Sequence, residues 1–264
     1  MFDRDSLVPV SETRFHDLRH VVSTGSTNSD LAQLAEELAA NGRPIVPTVL
    51  VADRQTAGKG RRGRIWESGR PTGLWVSVLV PAPRPITDLG WLLASAGIAL
   101  VDALRPLGVA AGLKWPNDIV IPTEGGDRKL AGMLSESTSQ RGQVHGIVIG
   151  LGCNIDAIPP DLPEAIAVAD VANEHVDRFD LLAAWLVGLD RWLSRLETLG
   201  AASVRDGYRD RSATLGRRVR IEAPDGSWEG RAIDVDHGGH LLVEVQGDVR
   251  TVVAGDVVHL RAIS

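Results

Sequence analysis

Lysine is nearly missing from this chain. Of its 28 basic residues only three are lysine, Lys59, Lys114 and Lys129, and the other 25 are arginine. Cysteine is scarcer still: Cys153 alone excludes an internal disulfide and fits a reducing cytoplasm. No run approaches the ~18 consecutive apolar residues of a membrane helix, so no membrane partner is expected. The opening MFDRDSLVPV has no basic region followed by an apolar core, which argues against a signal peptide. There is no internal repeat and no low-complexity tract. No Ser-His-Asp order or paired carboxylates stand out. The histidines form no ligand set, since His237-x-x-His240 spans a turn.

Cations are also locally concentrated. Net charge is −6, yet Lys59, Arg61, Arg62, Arg64 and Arg70 fall in one short stretch. A duplex-binding protein shows a broad basic face. An acidic chain with one basic loop suits a small anionic ligand, and no nucleic-acid partner is expected. Lysine is a compact point charge and arginine a wide planar fork. Lysines kept in an arginine-biased chain therefore mark places where the fork would not fit, and the three point to one phosphate- or carboxylate-handling site.

At 264 residues the chain suits one large domain and a small one, with expected bounds of 1–212 and 213–264. Ser26-Thr27-Asn28-Ser29-Asp30 opens a helix in which Thr27 and Asp30 have capping-box spacing, ended by Gly42 and Pro44. Strands are read at 45–51 and 74–80, then a buried helix over 89–104. Short strands follow at 112–115, 118–122, 130–137 and 143–151, and an amphipathic helix at 179–199. From about 213 short alternating runs at 219–222, 231–236, 241–245 and 251–253 are divided by Pro224-Asp225-Gly226, His237-Gly238-Gly239 and Gln246-Gly247-Asp248. That spacing predicts a small β-barrel.

Gly58-Lys59-Gly60-Arg61-Arg62-Gly63 satisfies G-x-G-x-x-G literally. A dinucleotide turn must run from a strand into a helix. Here Gly69, Pro71 and Gly73 follow and no helix begins. The glycines still let backbone approach a phosphate, and the arginines supply bidentate donors. Trp66 offers a wall for an adenine ring. Lys114-Trp115-Pro116-Asn117-Asp118 joins a cation, a ring and two polar side chains. Lys129-Leu130-Ala131-Gly132 sets an ammonium beside small residues. In Gly150-Leu151-Gly152-Cys153-Asn154, glycine within a strand marks close approach of another group. Cys153 itself reads as an inert buried thiol.

Taken in order, Gly25-Ser26-Thr27-Asn28, Gln55 to Arg64 with Trp66, Lys114 to Asp118, Lys129 to Gly132 and Gly150 to Asn154 resemble the biotin protein ligases. The resemblance covers roughly residues 20–200, and the tail is similar to that family's SH3-like domain. It implies an α+β fold: a mixed sheet flanked by helices, class II synthetase-like, with a small C-terminal SH3-like β-barrel. It implies that biotin's carboxylate attacks the α-phosphate of ATP with Mg²⁺, after which a lysine of a biotin carboxyl carrier domain takes the biotinyl group. By the same resemblance Lys129, Arg61 and Lys114 are the catalytic residues. Ser26, Thr27, Asn28, Gln55, Gly58, Lys59, Gly60, Arg61, Lys129, Gly132 and Gly150 contact biotin, and Arg61, Arg62, Arg64, Trp66, Lys114, Asn117 and Asn154 hold the nucleotide. No protein cage for a metal is implied. Lys59 stands where arginine is commoner in the family. The roughly 20 residues before the catalytic region leave no room for a helix-turn-helix, so an enzyme is expected in place of the rival biotin-responsive repressor. A lipoate protein ligase is the nearest enzymatic rival.

Overall fold

A computed structural model describes residues 5–68, 71–82, 89–158, 162–223, 226–253 and 255–260. Its elements run β1 (Asp17–Thr24), α1 (Thr27–Ala40), β2 (Thr48–Gln55), β3 (Gly73–Pro81), α2 (Leu89–Leu104), β4 (Gly112–Lys114), β5 (Asp118–Ile121), β6 (Arg128–Gln140) and β7 (Gln143–Asn154). Two helices, α3 (Arg178–Leu199) and α4 (Ala201–Arg211), lead to β8 (Arg218–Ala223), β9 (Gly226–Val235), β10 (Leu241–Val245), β11 (Asp248–Val252) and β12 (Asp256–His259). The first seven strands form one mixed sheet in the order β1-β2-β3-β7-β6-β5-β4. Among the described strands of this sheet only β1 and β2 pair with each other in parallel.

Period-two alternation on the central strands decides where a site can form. Val49, Val51, Val76, Val78, Ile147 and Ile149 share the main core, against which α2 and α3 pack. The alternate residues Leu50, Leu79 and Val148 face the other way and are covered by Leu31 and Ala35 of α1. One pleat further along that second face, Ser77 pairs with Gly150, and Gly150 with Leu134. Beyond them Trp75, Gly152 and Gly132 stand in register. Small residues at this point, past the N-terminus of α1, leave a hollow above the sheet. The segment Leu89–Leu107 has the length and apolarity of a membrane-crossing helix, with a mean hydropathy of 1.3. In this fold its Trp91, Ile98, Leu100 and Leu104 are core residues.

Two expectations need correcting. The capping box does not form: Ser26 is the N-cap and makes no side-chain cap bond. Asp30 instead accepts from Thr24 at 2.5 Å, and the Thr27 hydroxyl turns toward Gln55 and Ser77. Nor is the tail a closed barrel. Its five strands form an antiparallel sheet in the order β11-β10-β9-β8-β12, and β11 and β12 remain edges among the described residues. The inner face, including Val219, Ile221, Leu241, Val243 and Val257, joins the main core, so the rest of that core covers what barrel closure would have covered. The expected turn residues Pro224 and Asp225 lie outside the described residues.

Two indoles fix this sheet to the first. Trp91 Nε1 donates to the His237 carbonyl at 2.7 Å, and Trp115 Nε1 to the Gly239 carbonyl at 3.0 Å. Both carbonyls belong to the His237-Gly238-Gly239 turn.

Candidate active site

The hollow is a cavity of about 480 Å³, and Lys59, Lys114 and Lys129 all line it. The rarest cation of the chain thus meets itself at one place. One end of the cavity is neutral and densely hydrogen-bonded. The Thr27 amide donates to Gln55 Oε1 at 2.9 Å, and Gln55 Nε2 donates to Ser68 Oγ at 3.2 Å. Thr27 Oγ1 lies 2.7 Å from Ser77 Oγ, and the Ser77 hydroxyl donates to Asn28 Oδ1 at 2.6 Å. Asn28 Nδ2 then donates to Glu136 at 2.8 Å. Gly150 is glycine because a Cβ there would sit 2.1 Å from Asn28 Oδ1.

The other end is cationic and aromatic. Lys129, at the start of β6, sits 2.8 Å from Asp118 and 5.2 Å from the centre of the Trp66 ring. That indole lies against the backbone of two opposed glycines, since a Cβ on Gly132 or Gly152 would come within 2.7 or 2.4 Å of it. Asn117 holds β6 by donating to the Met133 carbonyl at 2.7 Å, and its Oδ1 accepts from Arg61 at 3.3 Å. Asn154 donates to the Ile166 carbonyl at 3.2 Å. Cys153, one residue earlier, is buried on the opposite face, and burial pushes its thiol up to about 12.

The basic loop is a tight hairpin, with no α-helix behind it among the described residues. Gly60 donates to the Arg64 carbonyl at 2.7 Å and Trp66 to the Gly58 carbonyl at 2.9 Å. The chain reverses through Arg62 and Gly63, at φ of 57° and 75°. Arg61 and Arg64 line the cavity, whereas Gly58 and Arg62 line only a second hollow beside the loop, which Arg61 and Arg64 also border. Asp256 of the tail sheet lies 3.6, 3.6 and 3.1 Å from Arg61, Arg62 and Arg64. Burial pulls the Arg61 guanidinium below its ordinary value, against the attraction of Asp256 and Asp118. On the neutral side Lys59 Nζ reaches Glu136 at 3.2 Å. Among the described residues no three His, Cys, Asp or Glu side chains converge as a metal cage.

Residues 24–154 match the biotin/lipoate A/B protein ligase family, and residues 214–260 match the biotin protein ligase C-terminal domain. The chain is 37% identical to the biotin–[acetyl-CoA-carboxylase] ligase of Mycobacterium tuberculosis, over 99% of this chain and 100% of that protein. It belongs to the biotin protein ligases. A second relative, the ligase of the same name from Paracoccus denitrificans, is 29% identical over 89% of this chain and 97% of its own length. The fold is like that of the Aquifex aeolicus biotin protein ligase solved with biotin and ATP, at a TM-score of 0.77 and 24% identity, over 94% of this chain and 100% of that one.

Within this ligase, every residue expected at the site borders the cavity except Gly58 and Arg62. Four polar groups stand outside the expected site residues. Ser77 was visible as a lone hydroxyl in an apolar strand, and Asp118 closed a motif already noticed. Glu136 and Asp256 carried no signal, because each meets its partners across 77 residues or more of chain.

Proposed function

We propose that this ligase condenses biotin with ATP to give biotinyl-5′-AMP and pyrophosphate, and then passes the biotinyl group to a lysine of a carrier domain. The observation that carries the reading is one cavity lined by all three lysines, with a hydrogen-bonded wall of uncharged side chains at one end and Lys129 and Arg61 at the other. The neutral wall of Ser26, Thr27, Asn28 and Gln55 suits an uncharged polar ring. Lys129, Arg61 and Lys114 suit the meeting point of two anions, a carboxylate and an α-phosphate. Trp66 and the Gly132–Gly152 shelf suit a purine, with Arg64, Asn117 and Asn154 nearby.

Two anions repel, so the chain's task is to position them and to neutralise charge. A carboxylate oxygen bonds to the α-phosphorus, the bond to the bridging oxygen breaks, and pyrophosphate leaves with the electron pair. In the second step a lysine amine attacks the carbonyl carbon, AMP leaves, and the amine gives up a proton. A cavity-lining carboxylate beside Lys129 supports Asp118 as the acceptor of that proton. Mg²⁺ would arrive on the ATP phosphates as part of the substrate. The name of the mycobacterial relative supports the carrier domain of a biotin-dependent carboxylase as acceptor. One buried thiol and an ATP-consuming reaction support a cytoplasmic setting.

Calorimetric titration with biotin, with and without ATP, tests the reading when paired with pyrophosphate release. Biotin should bind alone, and pyrophosphate should appear with biotin and not with lipoate. Turnover with lipoate and none with biotin would overturn it.

A further inference from the structure

The neutral wall is a hydrogen-bonded chain whose direction is set at one end. Glu136 is a carboxylate, which only accepts. Asn28 must therefore present Nδ2 to it, at 2.8 Å, which turns Oδ1 toward Ser77. Ser77 has one hydrogen and gives it to Asn28 at 2.6 Å, so toward Thr27 it only accepts. The single Thr27 hydrogen then has two takers, Ser77 Oγ at 2.7 Å and Gln55 Oε1 at 3.1 Å. Either way it is committed inside the protein. Gln55 is oriented too, because its Oε1 accepts from the Thr27 amide while its Nε2 donates to Ser68. Thr27, Asn28 and Ser77 are each at most 4% exposed, so water does not relax this order.

We propose that Glu136 is a specificity-determining residue for the ligand's ring: by orienting Asn28, Ser77 and Thr27 it makes the wall at Thr27 an acceptor, which selects a ring bearing N–H donors. The inference rests on the biotin reading and deepens it, since a cyclic urea offers two such donors and a dithiolane offers none. Lys59 belongs to the same device. It holds the other Glu136 oxygen at 3.2 Å. In Glu136→Gln the amide oxygen would stay with Lys59, which donates only, and the amide NH₂ would face Asn28. Asn28 would have to turn Oδ1 toward it and Nδ2 toward Ser77. The Ser77 hydrogen would move to Thr27, and the wall would lose its fixed direction.

The test compares biotin with an analogue carrying ring oxygens in place of both ureido N–H groups, by calorimetry on the full chain. A site built to bond an N–H rejects the analogue lacking it by up to about 10⁴-fold. The wild type should show a strong preference for biotin, Glu136→Gln should lower that preference at least about tenfold, and Glu136→Asp, still a carboxylate, should keep most of it. The Glu136 side chain is 32% exposed, so these changes leave the core untouched. A purely structural role would weaken both ligands in proportion. An unchanged preference in Glu136→Gln that still binds biotin would overturn the role of Glu136 alone. A wild type that binds no biotin would overturn the functional reading and this inference with it.

Discussion

Lys129 stands between a carboxylate and an indole, 2.8 Å from Asp118 and 5.2 Å from the Trp66 ring centre. An ammonium fits that gap; a guanidinium is wider and planar. Lys129→Ala should cut pyrophosphate release by about 10²- to 10³-fold, the usual loss for one charge-stabilising group at a reacting centre. Its melting temperature should hardly move, because the side chain is 34% exposed. Lys129→Arg should also fail, and release within about threefold of wild type in either variant would remove Lys129 from the reaction. Arg61 has a different task. Its contacts to Asn117 and to the tail sheet hold the loop across the cavity. One charge-assisted contact to a phosphoryl group is worth roughly 1.5–3 kcal/mol, so losing it should raise escape of the adenylate by about ten- to a hundredfold. Arg61→Gly should therefore still make biotinyl-AMP but label bystander albumin, read by streptavidin blotting. Labelling no higher than wild type, with adenylate still formed, would count against this.

On the strands, two glycines one pleat apart serve different ends of the cavity. A Cβ on Gly150 would strike Asn28 at 2.1 Å, whereas a Cβ on Gly152 would strike Trp66 at 2.4 Å. Gly150→Ala should raise KM for biotin about tenfold and leave KM for ATP nearly unchanged, and Gly152→Ala should do the reverse. Steady-state kinetics with each substrate varied would show the split, and equal effects on both substrates would refute it. The elements that sequence reading recovered were those with strong periodicity, such as Leu74 to Val80 and the 179–199 helix. It missed β1, an edge strand whose residues alternate little in burial. It missed α4, which is largely polar and buries only Val204, Gly207 and Tyr208. Thr27 misled for a related reason: its local spacing favoured a cap, and a partner on β3 took the hydroxyl. The five site motifs were legible because each is contiguous. The contributions of Glu136 and Asp256 exist only once the strands are paired.

At the scale of the whole molecule, one buried relay spans both sheets. His259 on β12 contacts Asp127 through Nδ1, and its Nε2 lies 2.9 Å from Thr214 Oγ1. Thr214 in turn accepts from the Trp115 amide at 3.0 Å. A neutral His259 that donates to Asp127 and accepts from Thr214 completes the relay. Burial holds His259 below the usual histidine range, and Lys114 and Arg217 act in the same direction against Asp127. The unfolded chain, near pKa 6.5, therefore takes up this proton before the folded one. The stability His259 lends is complete above about pH 6.5 and is lost as pH falls below it. Melting from pH 7.5 to 5.5 should cost the wild type a few degrees more than His259→Gln, which cannot titrate. Equal losses would refute the assignment. The scarcity of lysine has a consequence of another kind. An acyl adenylate reacts with free amines, and a leaking ligase bathes its own surface in one. Here every lysine lines the cavity, and the remaining 25 basic residues are guanidiniums that stay protonated and do not attack. Outside the cavity the enzyme thereby offers a leaked adenylate no lysine to acylate. Mass spectrometry of Arg61→Gly after turnover should find little label on its lysines beside that on albumin. Adding Arg191→Lys, on the exposed face of α3, should create a new labelled position.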